Sequence, residues 1–184
     1  MAKTRENRKA LHMQSVSHNS ITWIDIDRAS RAEMEKLKES YPFHPLDLED
    51  CLSKVQLPKI DEYTDYMFLV LHFPRFDHKV KITQSSQVSI FLGSDYLITI
   101  HHGELRPLVK LFRDAVDSET VKNNLMSQSS GHLLYQILDV LVDNCFPILK
   151  KIDLQVDAME AGLFERNTRT TIRDLAILRR DIIA

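Results

Sequence analysis

The chemistry this sequence can offer rests mainly on carboxylate oxygens. Glu49 and Asp50 end a short segment that opens at His44-Pro45. If that segment is helical, two carboxylates sit at its C-terminus, where the helix dipole opposes them by about 0.3–1 kcal/mol each. Asp139 and Asp143 lie four residues apart on a stretch with helical spacing. Like charges at that spacing share a face and repel by about 0.2–0.5 kcal/mol. Asp153, Asp157 and Glu160 extend the acidic stripe. A solvated helix face is the ordinary explanation of such a stripe. The sharper one is a hard divalent cation, which takes oxygen ligands and relieves the repulsion.

Other chemistries have less support. The eight histidines include the pair His101-His102 at the end of a strand-like run. Neighbouring strand residues point to opposite faces, so the two imidazoles do not easily share a metal. The sequence has no HExxH, no GxxxxGK[ST] loop and no GxGxxG turn. Cys51 and Cys145 stand alone with no CxxC, which suits buried thiols in a reducing compartment better than zinc or a disulfide scaffold. Ser129-Ser130-Gly131-His132 precedes a helical stretch and reads as a loop with an N-cap, although such a terminus can hold an anion. Nothing in these motifs requires an enzyme.

These residues sit on a chain of 184 residues, with 43% hydrophobic and 27% charged side chains and a net charge of -2. That length allows one domain with a real core, and the balance gives no field for nucleic acid. The basic residues Lys3, Arg5, Arg8 and Lys9 mark residues 1–19 as a flexible arm. Strands are expected over 20–27, 66–76, 80–83, 87–92 and 96–101, from their β-branched and aromatic runs. Asp77-His78-Lys79 is the expected hairpin turn. Ser30 with Glu33 forms a capping box for a first helix, and Pro45 opens a second at 45–52. Helical spacing returns over 105–116 and 119–126.

From 132 to about 165 the chain reads as one long helix. Leu138, Val142, Cys145, Leu149, Ile152, Val156, Met159 and Leu163 follow a 4-3 spacing along it. Pro147 should bend it. A further helix over 171–184 has no stop signal, which suggests an interrupted chain. No apolar run approaches the roughly 20 residues of a membrane span, so the chain reads as soluble. The expected fold is therefore α/β: an α/β/α sandwich with a mixed sheet over 20–130. Long helices over 131–184 complete it and start a stalk.

Several pieces in order resemble the CorA family of divalent-cation transporters. They are Thr-Trp-Ile-Asp at 22–25, His-Pro-Leu-Asp-Leu-Glu-Asp-Cys-Leu at 44–52 and Pro-Lys-Ile-Asp-Glu-Tyr at 58–63, the last followed by Tyr66-Met67-Phe68. Gln87-Val88-Ser89-Ile90-Phe91-Leu92, then Leu134-Tyr135 with Leu138-Asp139 and Val142-Asp143, complete the match.

The resemblance implies a homopentamer in the cell (inner) membrane with this domain on the cytoplasmic side. It implies regulatory Mg2+ bound between protomers and holding the pore closed, with Co2+, Ni2+ or Zn2+ as other candidate ions. The membrane helices and Gly-Met-Asn pore signature are expected beyond this sequence. The resemblance assigns Asp50 to a metal shared across the protomer boundary. It assigns Glu49 and Asp139 to a second site, with Asp143 nearby. The four carboxylates are expected to lie near one another or near a subunit boundary, and a further Asp ligand is expected past residue 184. The relatives' early sheet strands are expected to be missing here, since few residues precede the Trp motif. Two rival readings keep the fold: a zinc-transporting branch of the superfamily, and a freestanding oligomeric scaffold without metal.

Overall fold

The computed structural model describes residues 12–53, 56–77, 82–164, 175, 176 and 179. Six strands form one mixed sheet: β1 (Met13–His18), β2 (Ile21–Asp27), β3 (Lys59–Glu62), β4 (Tyr66–Asp77), β5 (Ile82–Gly93) and β6 (Tyr96–His101). Their order is β1-β2-β6-β5-β4-β3. Only β2 and β6 run parallel, with Trp23 opposite Leu97 and Asp25 opposite Thr99; the other neighbours are antiparallel.

Alternation along the strands feeds two cores. On one face Ile24, Ile26, Phe68, Val70, Phe91 and Ile98 pack under α1 (Arg31–Ser40) and α2 (Pro45–Leu52). On the other, Ile21, Trp23, Val88, Ile90 and Leu97 pack under α3 (Arg106–Asp117), α4 (Glu119–Met126) and α5 (Ser130–Asp143). Trp23 is fully buried. It meets Phe112 of α3 edge-on at 4.9 Å, and its indole N–H donates to Thr99 Oγ1 at 3.0 Å. That hydrogen bond removes the cost of burying the indole donor.

Residues 13–18 correct the expectation of a flexible arm through 19. They form β1, an edge strand whose only buried side chain is Val16. Its sequence, Met-Gln-Ser-Val-Ser-His, carries too little apolar signal to be read as a strand. Pairing with β2 creates it. For the same reason the four-residue edge strand β3 escapes notice. The hairpin turn expected at 77–79 falls mostly outside the described residues, as does most of the helix over 171–184.

The long helix is present with one interruption. α5 gives way at Asn144-Cys145 to α6 (Phe146–Phe164). Pro147 has no N–H for the carbonyl of Asp143, so the ladder cannot run unbroken there. The Cys145 N–H turns to the Val142 carbonyl at 2.8 Å, and helical bonding resumes from Ile148 and Leu149 to the Cys145 carbonyl. The span Ser130–Ala161 is long and apolar enough, by length and composition, to cross a membrane, with a mean hydropathy of 1.2. The absence of any such run was expected from the sequence. Charged residues interrupt the apolar positions, which conceals it. In this fold α5 uses its apolar side otherwise: Leu133, Ile137 and Leu141 are buried against the sheet. Of the 4-3 seam, Val142, Leu149 and Val156 remain exposed.

Candidate metal centre

Helix α2 carries Glu49 and Asp50, and it is fastened to the sheet by a third acid. His44 caps it, its Nδ1 accepting from the Leu46 N–H at 3.3 Å. Pro45 supplies the first helical residue without wasting a donor. Leu48 and Cys51 face the core, and burial pushes the Cys51 thiol well up in pKa, so it is an inert packing group. Asp47, 1% exposed, lies on the same inner face. It accepts from the Tyr66 hydroxyl at 2.9 Å and the Tyr63 hydroxyl at 3.2 Å. Tyr66 in turn accepts from the His44 N–H at 2.8 Å. Burial, with Asp47 beside it, pushes the Tyr66 phenol up, so it remains a donor at neutral pH. The Tyr63 and Tyr66 rings stack at 4.4 Å.

One turn along α2, Asp50 points at edge strand β3. Its Oδ2 lies 2.7 Å from Lys59 Nζ, and its Oδ1 accepts from Gln56 Nε2 at 2.9 Å. The same ammonium lies 2.6 Å from Asp61 Oδ2. Lys59 and Asp61 share a strand face because their spacing is two. Hydrogen bonds to Asp50 and Asp61 push the Lys59 pKa up, so the group is a permanent cation at neutral pH. Its stem runs by Phe68, with Nζ 5.2 Å from the ring centroid.

The expected ligands do not assemble in one protomer. Glu49 is exposed on α2 and makes no hydrogen bond or ion pair with described residues. Asp139 and Asp143 are exposed on α5, likewise without such partners. α2 and α5 cover opposite faces of the sheet, so these carboxylates can meet only through a second copy. Among the described residues, no group of three or more His, Cys, Asp or Glu is arranged around a common point. Asp50 and Asp61 nevertheless bracket one cation, the Lys59 ammonium. Two carboxylates fit a hard divalent ion that keeps most of its waters. Sequence reading missed Gln56, Lys59 and Asp61. The alternation in Pro-Lys-Ile-Asp-Glu-Tyr was the signal that could have found the last two.

A second buried polar group lies at the far end of β6. His101 Nε2 approaches both oxygens of Asp25 at 3.1 and 3.2 Å, and its Nδ1 accepts from the Gly103 N–H at 2.8 Å. Thr99 donates to Asp25 Oδ1 at 2.6 Å. Each ring nitrogen is satisfied within the chain, so His101 ties β6 to β2. His102 lies one residue past the end of β6 and takes no part in this network.

Known proteins share this arrangement of elements. The cobalt/magnesium transport protein CorA of Thermotoga maritima is 29% identical over 168 residues, covering 88% of this chain and 46% of that protein. The soluble domain of CorA from Methanocaldococcus jannaschii superposes with a TM-score of 0.70 at 20% identity, covering 89% of this chain and 64% of that one. The ZntB cytoplasmic domain from Vibrio parahaemolyticus gives a TM-score of 0.64 at 14% identity, over 90% of this chain and 66% of that one. The chain spans about half the length of the curated relatives it matches. The structural likenesses establish the fold. The sequence pattern described as CorA-like Mg2+ transporter protein matches residues 18–184, nearly the whole chain, and so the chain belongs to the CorA-like Mg2+ transporter family.

Proposed function

We propose that this chain is the cytoplasmic cation-sensing and gating domain of a CorA-type divalent-cation transporter, in which Mg2+ bound between protomers of a homopentamer favours the closed pore. The observation that carries this reading is the α2–β3 corner, where Asp50 and Asp61 close on a single cation at 2.7 and 2.6 Å. Glu49 stands exposed beside it on α2, and Asp139 and Asp143 are exposed on the opposite side of the domain. A neighbouring copy therefore supplies the complementary acids. Asp50 holds one ion shared across the protomer boundary, and Glu49 with Asp139 holds a second, with Asp143 nearby. Low Mg2+ leaves these carboxylates repelling across the boundary, and bound Mg2+ neutralises them.

The magnitudes suit a shared sensor. A site half-filled at 1 mM contributes only about 4 kcal/mol on the 1 M scale. Moving an equilibrium from 1:99 to 99:1 takes about 5.5 kcal/mol of differential binding, which several symmetric interfaces supply together. The test is protease protection of the complete membrane-embedded transporter across a Mg2+ titration. Asp50→Asn, which keeps the shape and deletes the charge, should move the protection midpoint to higher Mg2+. Wild-type midpoints in both Asp50→Asn and Asp50→Ala would refute the role of Asp50. The likeness to the ZntB cytoplasmic domain favours one second reading, a zinc-transporting branch with the same domain. A Zn2+-dependent, Mg2+-independent midpoint would support it.

A further inference from the structure

We propose that Lys59 is a tethered competitor of the divalent cation at Asp50, and that it sets how much free cation the α2–β3 corner requires. The inference rests on the reading of Asp50 as a sensor ligand and adds a residue that tunes it. Both oxygens of Asp50 are engaged within the chain, Oδ1 by the Gln56 amide at 2.9 Å and Oδ2 by the Lys59 ammonium at 2.7 Å. The ammonium also holds Asp61 at 2.6 Å. A divalent ion that takes Asp50 Oδ2 directly is crowded and repelled by the Lys59 ammonium already beside it.

The competitor is covalently attached, so its local concentration is fixed by its tether and does not dilute. The apparent affinity for an added ion then falls by the fraction of time the corner is free of the ammonium. Lys59 can leave without unfolding anything. Its side chain is one-third exposed, its stem is flexible, and β3 is an edge strand bonded on one side only. A departing ammonium gains water, while a divalent ion brings twice the charge to the same two carboxylates. An exchange of this kind gives a weak site from strong ligands, as a sensor of an abundant cytosolic ion needs. Selectivity follows too. A monovalent ion offers Asp50 and Asp61 no more charge than Lys59 already does, so it has little drive to displace it.

The experiment is a titration of the complete membrane-embedded transporter with MgCl2 at constant ionic strength, read as the midpoint of protease protection. Lys59→Gln should tighten the Mg2+ midpoint by at least tenfold. Lys36→Gln on the exposed face of α1 makes the same change in net charge and should leave the midpoint where it is. Adding Asp50→Asn to Lys59→Gln should abolish the gain. Lys59→Arg keeps a cation able to reach both carboxylates and should hold the wild-type midpoint or weaken it; a tighter midpoint would overturn the proposal, and this variant decides the matter if Lys59→Gln does not fold. If the wild type shows an Asp50-dependent midpoint that Lys59→Gln leaves unchanged or weakens, Lys59 is no competitor and the sensor reading stands. If neither wild type nor Lys59→Gln shows any Asp50-dependent response, both the competitor and the sensor reading fall.

Discussion

Beside the two apolar cores, a few acids with identified donors fasten individual elements of this domain. Glu33 is one. It closes the capping box of α1, its Oε2 accepting from the Ser30 N–H at 2.8 Å, and its Oε1 accepts from the His12 N–H at 2.9 Å. Burial alone would raise its pKa, but the Ser30 hydroxyl and these backbone donors outweigh that and hold it below the ordinary glutamate value. A carboxylate depressed in the folded state stabilises it above the unfolded pKa, and the benefit disappears as pH falls through the folded one. Glu33→Gln should therefore cost about 1 kcal/mol at neutral pH. The difference from wild type should shrink once pH drops below about 4.3. Urea melts at pH 7 and pH 3 measure both.

Gly103 is constrained in a different way. Its φ is +73°, and an added Cβ would lie 2.5 Å from Asp27 Oδ1. Gly103→Ala should lower stability by at least about 1 kcal/mol, and a thermal melt unchanged from wild type would contradict that. Asp47→Ala removes the acceptor of two tyrosine hydroxyls. Leaving a buried donor unmet costs about 1–3 kcal/mol, and the loss should appear first as faster hydrogen exchange in α2.

Elements with a strong internal signal were legible before folding was known. α2, β6 and α4 fall where Pro45, the strand-like run over 96–101 and the helical spacing over 119–126 place them. β1 and β3 were not legible, because edge strands owe their existence to a neighbour and can be polar throughout. The site divides in the same way. Glu49, Asp50, Asp139 and Asp143 stand out as acids on helices, but which sheet face each helix covers is decided by tertiary packing. Lys59 and Asp61 sit on the strand that was missed, so their hold on Asp50 was invisible. At the α5–α6 junction one proline accounts for the break. Pro147→Ala restores a donor for the Asp143 carbonyl, so amides over 144–149 should gain protection in hydrogen exchange while the sheet amides stay as they are. Unchanged protection there would mean that packing, and not Pro147, sets the interruption.

The molecule as a whole presents incomplete surfaces. Carboxylates lie on opposite faces of one sheet, and the seam residues Val142, Leu149 and Val156 stay exposed on α5 and α6. On the proposed reading the acids repel across the protomer boundary until a cation joins them, and the membrane part supplies much of the contact area. The isolated chain should accordingly be monomeric or weakly associated in dilute solution. Light scattering that finds a tight pentamer at micromolar concentration would contradict this. The central claim is that Mg2+ at Asp50 and at the Glu49–Asp139 site ties α2 and α5 into the protomer boundary. Hydrogen exchange of the complete transporter, with Mg2+ and after its removal, tests this most directly. The account predicts that Mg2+ slows exchange in peptides covering 45–52 and 130–143 together, with one midpoint, and that Asp50→Asn weakens both responses. Protection confined to one of these helices, or an Asp50→Asn variant that responds as wild type does, would contradict it.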